Sequence, residues 1–213
     1  TMLLETLGDA PGVRPSRAGE VAAIRTTIRE RARRYFGEPL EMLDAVRRAL
    51  PRDGVVVADM TMLGYATAQY LPMYEPRTYI HASELCTIGC GLPMALGAKV
   101  ACPGRAVVAL CGDGGFLLNT GELATAVQER IGAVAIVFND ATYTAVKSDQ
   151  QERYEGRYIA TDLAAPDFVA LARAFGAEGV RATSPSELTE ALGTALGRGG
   201  PTLIEVPLPP KPW

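Results

Sequence analysis

The sequence is poor in the residues that most often build zinc centres and disulfides. It contains one histidine, His81, and four cysteines, none of them in a Cys-x-x-Cys pair. This set does not favour zinc, whose usual ligands are closely spaced cysteines and histidines. We therefore expect buried free thiols, kept reduced in the cytoplasm. The cysteines are Cys86, Cys90, Cys102 and Cys111.

Excess basic charge and long apolar runs are also missing. The chain has 21 lysine and arginine residues against 24 aspartate and glutamate residues, a net charge of −3, which does not suggest nucleic acid as a partner. No apolar run reaches the ~20 residues that span a bilayer, and no signal peptide is recognisable. The 213 residues, 48% of them hydrophobic, are enough for one full core. We expect a cytoplasmic protein that binds neither nucleic acid nor membrane.

The most regular pattern lies between residues 106 and 140. Two valine-rich apolar runs, residues 106–111 and 133–138, are typical of buried strands, and residues 119–130 between them have helical spacing. The first run ends in a glycine turn, Gly112-Asp113-Gly114-Gly115. A strand, turn, helix and strand in this order predict a crossover unit of a parallel sheet.

Asp113 and Asp140 follow the ends of these two strands. Open parallel sheets bind ligands at the carboxyl ends of their strands, and glycines there let backbone N–H groups approach an anion. Mg²⁺ typically takes one or two protein carboxylates together with phosphate oxygens. The pattern therefore predicts a metal–diphosphate site across two adjacent strand ends, although a plain glycine turn with two surface aspartates would look the same.

The two turns resemble a known signature. Gly112-Asp113-Gly114 and Asn139-Asp140, separated by residues 115–138, are similar to the GDG and Asn-Asn elements of thiamine-diphosphate (ThDP) enzymes. Residues 39–207 resemble the C-terminal, diphosphate-binding domain of the acetolactate synthase and benzoylformate decarboxylase group. The resemblance implies ThDP and Mg²⁺ as cofactors. Asp140 stands where the family usually has asparagine, which keeps an oxygen ligand and adds a negative charge.

The resemblance also implies roles for the residues of these turns. Asp113 and Asp140 would bind the metal through their side chains, and Thr142 through its backbone carbonyl. Gly114 and Gly115 would offer N–H groups to the diphosphate. The implied cofactor-binding residues of this region are Gly112, Asp113, Gly114, Gly115, Tyr143 and Thr144.

A segment after a short predicted strand, residues 54–58, carries a second likeness. Residues 59–71, DMTMLGYATAQYL, resemble the family segment in which a Gln-His pair often meets the diphosphate. Here those positions are Met62 and Leu63, with the hydroxyl of Thr61 beside them. The resemblance implies Thr61 and Met62 as cofactor-binding residues. A packing helix with core methionines is the alternative.

Residues 79–99, YIHASELCTIGCGLPMALGAK, carry a further motif. Gly89-Cys90-Gly91 could belong to a dinucleotide-binding loop, but the third glycine is misplaced and Pro93 follows. The segment instead resembles the family's Gly-Thr-Met-Gly-Phe-Gly-Leu-Pro-Ala-Ala. This implies that Ile88 wedges between the two cofactor rings, and that the Cys86 carbonyl accepts a hydrogen bond from the 4′-amino group. A core isoleucine at a helix start is the alternative.

Other polar residues remain open. His81 could act as an acid or base, but it lies before the motif, where the family has no fixed catalytic residue. Residues 141–163 have little periodicity and predict a loop near the site. Its Lys147, Gln150 and Tyr154 could meet substrate or simply lie on the surface.

The alternation of strands and helices predicts an α/β fold, with a doubly wound, mostly parallel sheet and helices on both faces. By resemblance, residues 1–37 are a remnant of a preceding middle domain and its linker, and residues 38–207 are the ThDP-binding domain. Residues 208–213 are an extended tail. The arginine-rich stretch 20–36 fits either a solvated face or an anion-binding helix. Further predicted helices and strands are residues 38–50, 166–175 and 184–196, and residues 178–182 and 202–206.

The resemblance implies a 2-oxo acid decarboxylase or carboligase, acetolactate synthase-like and oligomeric, of which this chain is a fragment. In that family a glutamate on an N-terminal pyrimidine-binding domain, usually of a neighbouring subunit, activates the cofactor. No segment here resembles that domain, and neither Glu84 nor Glu122 matches that glutamate. The isolated chain is therefore expected to be inactive. The alternatives are the diphosphate-binding subunit of a two-chain decarboxylase and a ThDP-binding module without turnover.

Overall fold

The computed structural model describes residues 16–209, in which six strands form one sheet in the order β2-β1-β3-β4-β6-β5. Every pairing between these strands is parallel. This confirms the predicted parallel α/β sheet. The strands are β1 (Val55–Ala58), β2 (Tyr79–His81), β3 (Val107–Gly112), β4 (Val134–Asn139), β5 (Glu178–Arg181) and β6 (Thr202–Pro207).

Helices cover both faces of the sheet. In chain order they are α1 (Ala18–Phe36), α2 (Leu40–Ala49), α3 (Met62–Tyr70), α4 (Gly91–Ala101), α5 (Asp113–Leu118), α6 (Glu122–Gln128), α7 (Thr144–Arg153), α8 (Phe168–Ala174) and α9 (Pro185–Arg198).

Two apolar cores separate because successive side chains of a strand point to opposite faces. On β3, Val108 and Leu110 join the core formed with α2, α3 and α9. Val107 and Ala109 join the core formed with α4, α5, α6 and α8. Strands buried on both faces read as continuous apolar runs, which is why β3 and β4 were recognisable from sequence. The predicted doubly wound arrangement is confirmed.

Several predicted elements differ in detail from the structure. The glycine turn after β3 is the first turn of α5, and the helix predicted over residues 119–130 begins only at Glu122. The predicted loop after β4 contains α7. Thr144 is the one buried residue of this helix, so α7 has no apolar face that sequence periodicity could reveal. Strand β2 was not predicted, because three half-buried residues at a sheet edge give too short a pattern.

Helix termini follow local chemistry. Asp167 caps α8 by accepting hydrogen bonds from the N–H groups of Val169 and Ala170, so the helix starts after Asp167 and not at Pro166. Ser184 caps α9 and Pro185 occupies its first position, where a missing N–H is harmless.

Helix α1 packs against the rest of the described chain. Ala32 is fully buried within the core that includes α2 and α3. Arg29 forms an ion pair with Asp44 of α2. The domain boundary at residues 37 and 38 stays a prediction, and most of the predicted tail, residues 210–213, lies outside the described residues. No helix of the described part is long and apolar enough to cross a membrane.

Candidate functional site

A cavity of about 280 Å³ opens at the carboxyl ends of β1, β3 and β4. Open parallel sheets bind ligands at this edge. All of the residues that were predicted from the sequence to bind the cofactor and the metal line this cavity. They are Thr61, Met62, Cys86, Ile88, Gly112, Asp113, Gly114, Gly115, Asp140, Thr142, Tyr143 and Thr144.

Asp113 and Asp140 stand at the ends of β3 and β4. Asp113 is buried; its Oδ1 accepts a hydrogen bond from the Gly114 N–H at 2.7 Å, and its Oδ2 has no partner among the described residues. Asp140 Oδ2 accepts a hydrogen bond from the Thr144 hydroxyl. Two carboxylates with an unsatisfied buried oxygen are an arrangement that a bound cation would complete.

The pKa shifts of Asp113 and Asp140 also favour a bound cation. Burial raises the pKa of Asp113 to about 6, and the hydrogen bond from the Gly114 N–H opposes this rise, while the nearby Asp140 carboxylate adds to it. Burial also raises the pKa of Asp140. A divalent cation would remove the cost of holding two partly buried carboxylates together, so the donor set fits Mg²⁺.

Side chains alone do not complete a cation site. Within residues 16–209 no group of three or more His, Cys, Asp or Glu side chains could hold a metal. The Thr142 backbone carbonyl, nominated as the third ligand, accepts a hydrogen bond from the Thr144 N–H at 2.9 Å. A carbonyl oxygen has two lone pairs, so this bond still leaves one for a cation.

The loop from Asn139 to Thr142 is held in an unusual conformation. Ala141 has φ +55°, a left-handed conformation that costs a residue with a Cβ roughly 1–2 kcal/mol. Asn139 Oδ1 accepts a hydrogen bond from the Ala141 N–H at 3.2 Å, and the Ala141 carbonyl accepts one from the Leu163 N–H at 2.8 Å. Such strain, maintained by its surroundings, is typical of binding sites.

Gly112 at the end of β3 and the glycines of α5 permit close packing around the cavity. A Cβ at Gly114 would lie 2.3 Å from Cε1 of Tyr143, and one at Gly112 would lie 3.1 Å from the Thr61 hydroxyl oxygen. The Gly114 N–H already donates to Asp113. Of the two backbone donors predicted for a diphosphate, Gly114 would therefore have to give up this hydrogen bond first.

The segment after β1 brings Thr61 and Met62 to the same cavity. Thr61 is the residue before α3, and Met62 is its first residue. Both side chains are half-buried, so Met62 lines the cavity and is not one of the fully buried core residues.

Ile88 lies at the mouth of the cavity with 37% of its surface exposed, so the alternative of a core isoleucine is wrong. Its Cγ1 would lie 3.3 Å from a Cβ placed at Gly115, which brings the nominated wedge next to the helix of the GDG motif. Cys86 is exposed, which corrects the expectation that all four cysteines are buried; Cys90 and Cys102 are half-buried and Cys111 is buried. The φ of Cys86 is +48°, a second strained position at the site.

The other polar candidates lie away from the cavity. His81 stacks on Tyr79 at the edge strand, with ring centroids 6.1 Å apart. Lys147 forms an ion pair with Asp162 at 2.5 Å, and the Gln150 side chain hydrogen-bonds with both backbone groups of Ile159. These two side chains hold the segment after α7 and do not line the cavity.

Three polar residues escaped the sequence reasoning. Asp59 directly follows β1 and is buried beside the Ile88 segment, Asn119 directly follows α5, and Glu205 is buried on β6. Asp59 could have been suspected, because it follows an apolar strand as Asp113 and Asp140 do. No sequence signal pairs Asn119 with Gly89 or Glu205 with Asn139, although the structure joins each pair by a hydrogen bond.

Comparison with known proteins shows the family of this chain. Residues 59–206 match the family model described as "Thiamine pyrophosphate enzyme, C-terminal TPP binding domain". An acetolactate synthase from Bacillus subtilis (strain 168) is 38% identical over 170 residues, which are 80% of this chain and 30% of that protein. A sulfoacetaldehyde acetyltransferase from Castellaniella defragrans is 32% identical over 158 residues, 74% of this chain and 26% of that protein.

A solved structure shares the fold. The thiamine diphosphate-dependent 4-hydroxybenzoylformate decarboxylase of Rhodococcus jostii RHA1 matches with a TM-score of 0.76 and 31% identity, covering 81% of this chain and 33% of that one. The chain thus spans only about a third of the length of the relatives that it matches. It belongs to the thiamine pyrophosphate enzyme family, of which it represents the C-terminal TPP binding domain.

Proposed function

We propose that the cavity holds the diphosphate end of ThDP together with Mg²⁺, and that the chain is this part of a 2-oxo acid decarboxylase or carboligase. One observation carries the proposal: the two carboxylates, the glycines of α5 and the Ile88 segment, which are separated in sequence, line one cavity. When bound, ThDP supplies the electron sink that lets a 2-oxo acid lose CO₂. The chain's own residues bind and orient it.

The proposed metal ligands are the side chains of Asp113 and Asp140 and the backbone carbonyl of Thr142. Support comes from the unpartnered Oδ2 of Asp113 and from burial, which raises the pKa of both carboxyls. Asp140 brings one more negative charge than an asparagine would. These side chains and this carbonyl would hold Mg²⁺, which typically takes protein oxygens together with phosphate oxygens.

The remaining roles follow the placement around the cavity. Gly115, and Gly114 once its N–H is released, would donate to the diphosphate, with Gly112 allowing the close approach. Thr61, Met62, Tyr143 and Thr144 would flank it. Ile88 would support the bent cofactor, and the Cys86 carbonyl would accept a hydrogen bond from its 4′-amino group.

The cavity does not supply the group that would activate the pyrimidine ring. Its described lining contains no glutamate, Glu84 is exposed, and Glu122 is half-buried on α6 away from the lining. We propose that an N-terminal pyrimidine-binding domain, in the same or another chain, supplies this carboxylate. The complete enzyme is then a homo-oligomer or two-chain assembly in the cytoplasm, where the four free thiols would persist.

The test is calorimetric titration of the complete enzyme with ThDP, with Mg²⁺ and then with a chelator, followed by a screen of 2-oxo acids for CO₂ release. We expect ThDP binding that requires the cation, and release of CO₂ from at least one acid. Binding without CO₂ release from any acid would favour a module without turnover. Absence of ThDP binding in the presence of Mg²⁺ would overturn the proposal.

A further inference from the structure

We propose that Asp59 and Asn119 clamp the backbone of Gly89 from two sides and so position Ile88. The inference rests on the proposed function in one respect, namely that Ile88 supports the cofactor. It adds two positioning residues that act through Gly89 and do not themselves touch the cofactor.

The clamp consists of two hydrogen bonds to Gly89, and a third hydrogen bond orients the Asp59 side chain. Asp59 Oδ1 accepts the Gly89 N–H at 3.0 Å and the Met60 N–H at 2.7 Å, while Asn119 Nδ2 donates to the Gly89 carbonyl at 2.8 Å. Asp59 belongs to the end of β1 and Asn119 to the end of α5. Both polar groups of one residue are therefore fixed by side chains from two distant parts of the chain.

The packing around Gly89 leaves it little room to move. Its φ is +88°, a left-handed conformation that favours glycine. A Cβ there would lie 3.0 Å from both Asn119 Nδ2 and the Cβ of Leu118, and 3.1 Å from the Gly115 carbonyl oxygen. The Gly89 backbone thus rests directly on α5, the helix of the GDG motif.

Ile88 needs such support because burial does not hold it. With 37% of its surface exposed, it lacks the enclosing contacts that fix a core side chain. Its location depends on the backbone to which it is attached, and that backbone continues into the clamped Gly89. The clamp therefore fixes the distance between Ile88 and the glycines of α5.

Asp59 is a costly residue to place here. It is only 1% exposed, and its Oδ2 has no hydrogen-bond partner among the described residues. A buried, incompletely satisfied carboxylate is destabilising unless its surroundings compensate for it. A Cβ at Gly115 or Gly91 would lie 3.1 Å from this Oδ2, so Asp59 touches both α5 and the start of α4. A role in joining these two segments accounts for its burial.

The consequence for chemistry is geometric. A displacement of about 1 Å at a reacting centre can reduce the rate about 100-fold. Loss of the clamp should therefore affect the step that depends on cofactor geometry more than cofactor affinity, because the diphosphate end would be anchored by Asp113 and Asp140.

The experiment uses the complete enzyme with Asn119→Ala, Asp59→Ala, Asp59→Asn and the matched control Thr120→Ala. Among the described residues, the Thr120 hydroxyl donates to two carbonyls of α5, those of Phe116 at 3.0 Å and Leu117 at 3.3 Å, so this control perturbs the same helix end without touching Gly89. Asp59→Asn keeps an oxygen acceptor for the Gly89 N–H. Amide exchange at Gly89 should therefore stay closer to the wild-type rate in Asp59→Asn than in Asp59→Ala.

Two readouts are used: the first tests whether the clamp exists, and the second tests whether it positions the cofactor. In the cofactor-free enzyme, we expect amide hydrogen exchange in residues 86–91 to accelerate at least about tenfold in Asn119→Ala and to stay unchanged in Thr120→Ala. With saturating ThDP and Mg²⁺, we expect proton exchange at C2 to slow at least about tenfold in Asn119→Ala, with ThDP affinity changed less than about threefold.

Each outcome has a distinct meaning. Unchanged amide exchange in Asn119→Ala would overturn the clamp whatever the enzyme does with ThDP. Faster amide exchange with wild-type C2 exchange would overturn the positioning role. Failure of the wild-type enzyme to bind ThDP would overturn the proposed function and the positioning role with it, while the amide exchange would still decide whether the clamp exists.

Discussion

The Asn139 side chain donates from Nδ2 to Glu205 Oε1 at 2.9 Å, which joins the end of β4 to the middle of β6. Arg181 of β5 donates to the other oxygen of the same carboxylate, also at 2.9 Å. Asn139 in turn accepts from the strained Ala141 through its Oδ1. A buried carboxylate on β6 therefore fixes the start of the loop that carries Asp140 and Thr142.

Glu205→Leu should weaken this loop. The change leaves the half-buried Asn139 amide without its acceptor, which costs on the order of 1 kcal/mol of unfolding free energy. We expect Mg²⁺-dependent ThDP affinity of the complete enzyme to fall about tenfold, consistent with about 1.4 kcal/mol. Urea denaturation and calorimetry measure the two effects. Glu205→Gln retains an acceptor for Asn139 and should keep most of the affinity; equal losses in both variants would contradict the proposed link.

Asp113→Ala should abolish metal-dependent ThDP binding by the complete enzyme, because it removes a central ligand of the cation. Asp140→Asn is the matched comparison and should be tolerated, since an amide oxygen can still coordinate and the repulsion with Asp113 disappears. Calorimetric titration with ThDP and Mg²⁺ measures both. Unchanged ThDP affinity in Asp113→Ala would contradict the proposal that Asp113 binds the metal.

Much of this site could be predicted from the sequence because its key residues lie in short local motifs. The GDG turn follows a strand that is buried on both faces, so the strand end and its carboxylate could both be recognised. Asp140 was recognisable for the same reason after β4. These two positions, with the parallel sheet between them, already predicted a cavity at the carboxyl edge.

What could not be predicted depends on tertiary contacts. Asn119 reaches Gly89 across 30 positions of sequence, and Glu205 reaches Asn139 across 66. No local periodicity reports such pairs. Helix α7 was not predicted because it buries little apolar surface and so has no apolar stripe.

Ile88→Ala should slow turnover of the complete enzyme more than it weakens ThDP binding. The metal and diphosphate contacts lie elsewhere, whereas the lost side chain would no longer support the bent cofactor, and small displacements there can cost about 100-fold in rate. Proton–deuterium exchange at C2, followed by NMR, gives the direct measurement. Ile88→Leu retains bulk and is the control. Wild-type exchange in Ile88→Ala would count against the assignment.

Two exposed leucines near the Ile88 segment lead to the last prediction. Leu85, shortly before Ile88 in sequence, is 87% exposed, and Leu118 is 56% exposed, with its Cβ 3.0 Å from a Cβ placed at Gly89. Exposed apolar side chains near a binding cavity are typical of surfaces that another domain covers. The proposed pyrimidine-binding domain would also bring the glutamate that the cavity lacks.

The 213-residue chain, purified by itself, should therefore bind ThDP weakly or not at all and release no CO₂ from 2-oxo acids. It should also self-associate, and Leu85→Lys should reduce that association because a charge is costly to bury. Light scattering after size-exclusion chromatography measures the association, and an assay with ThDP, Mg²⁺ and a range of 2-oxo acids measures turnover. Sustained CO₂ release at enzyme-like rates without a partner would mean that the activating carboxylate lies within this chain. In that case Glu84 and Glu122, the two glutamates closest in sequence to the Ile88 segment and to α5, would be the first to replace with glutamine.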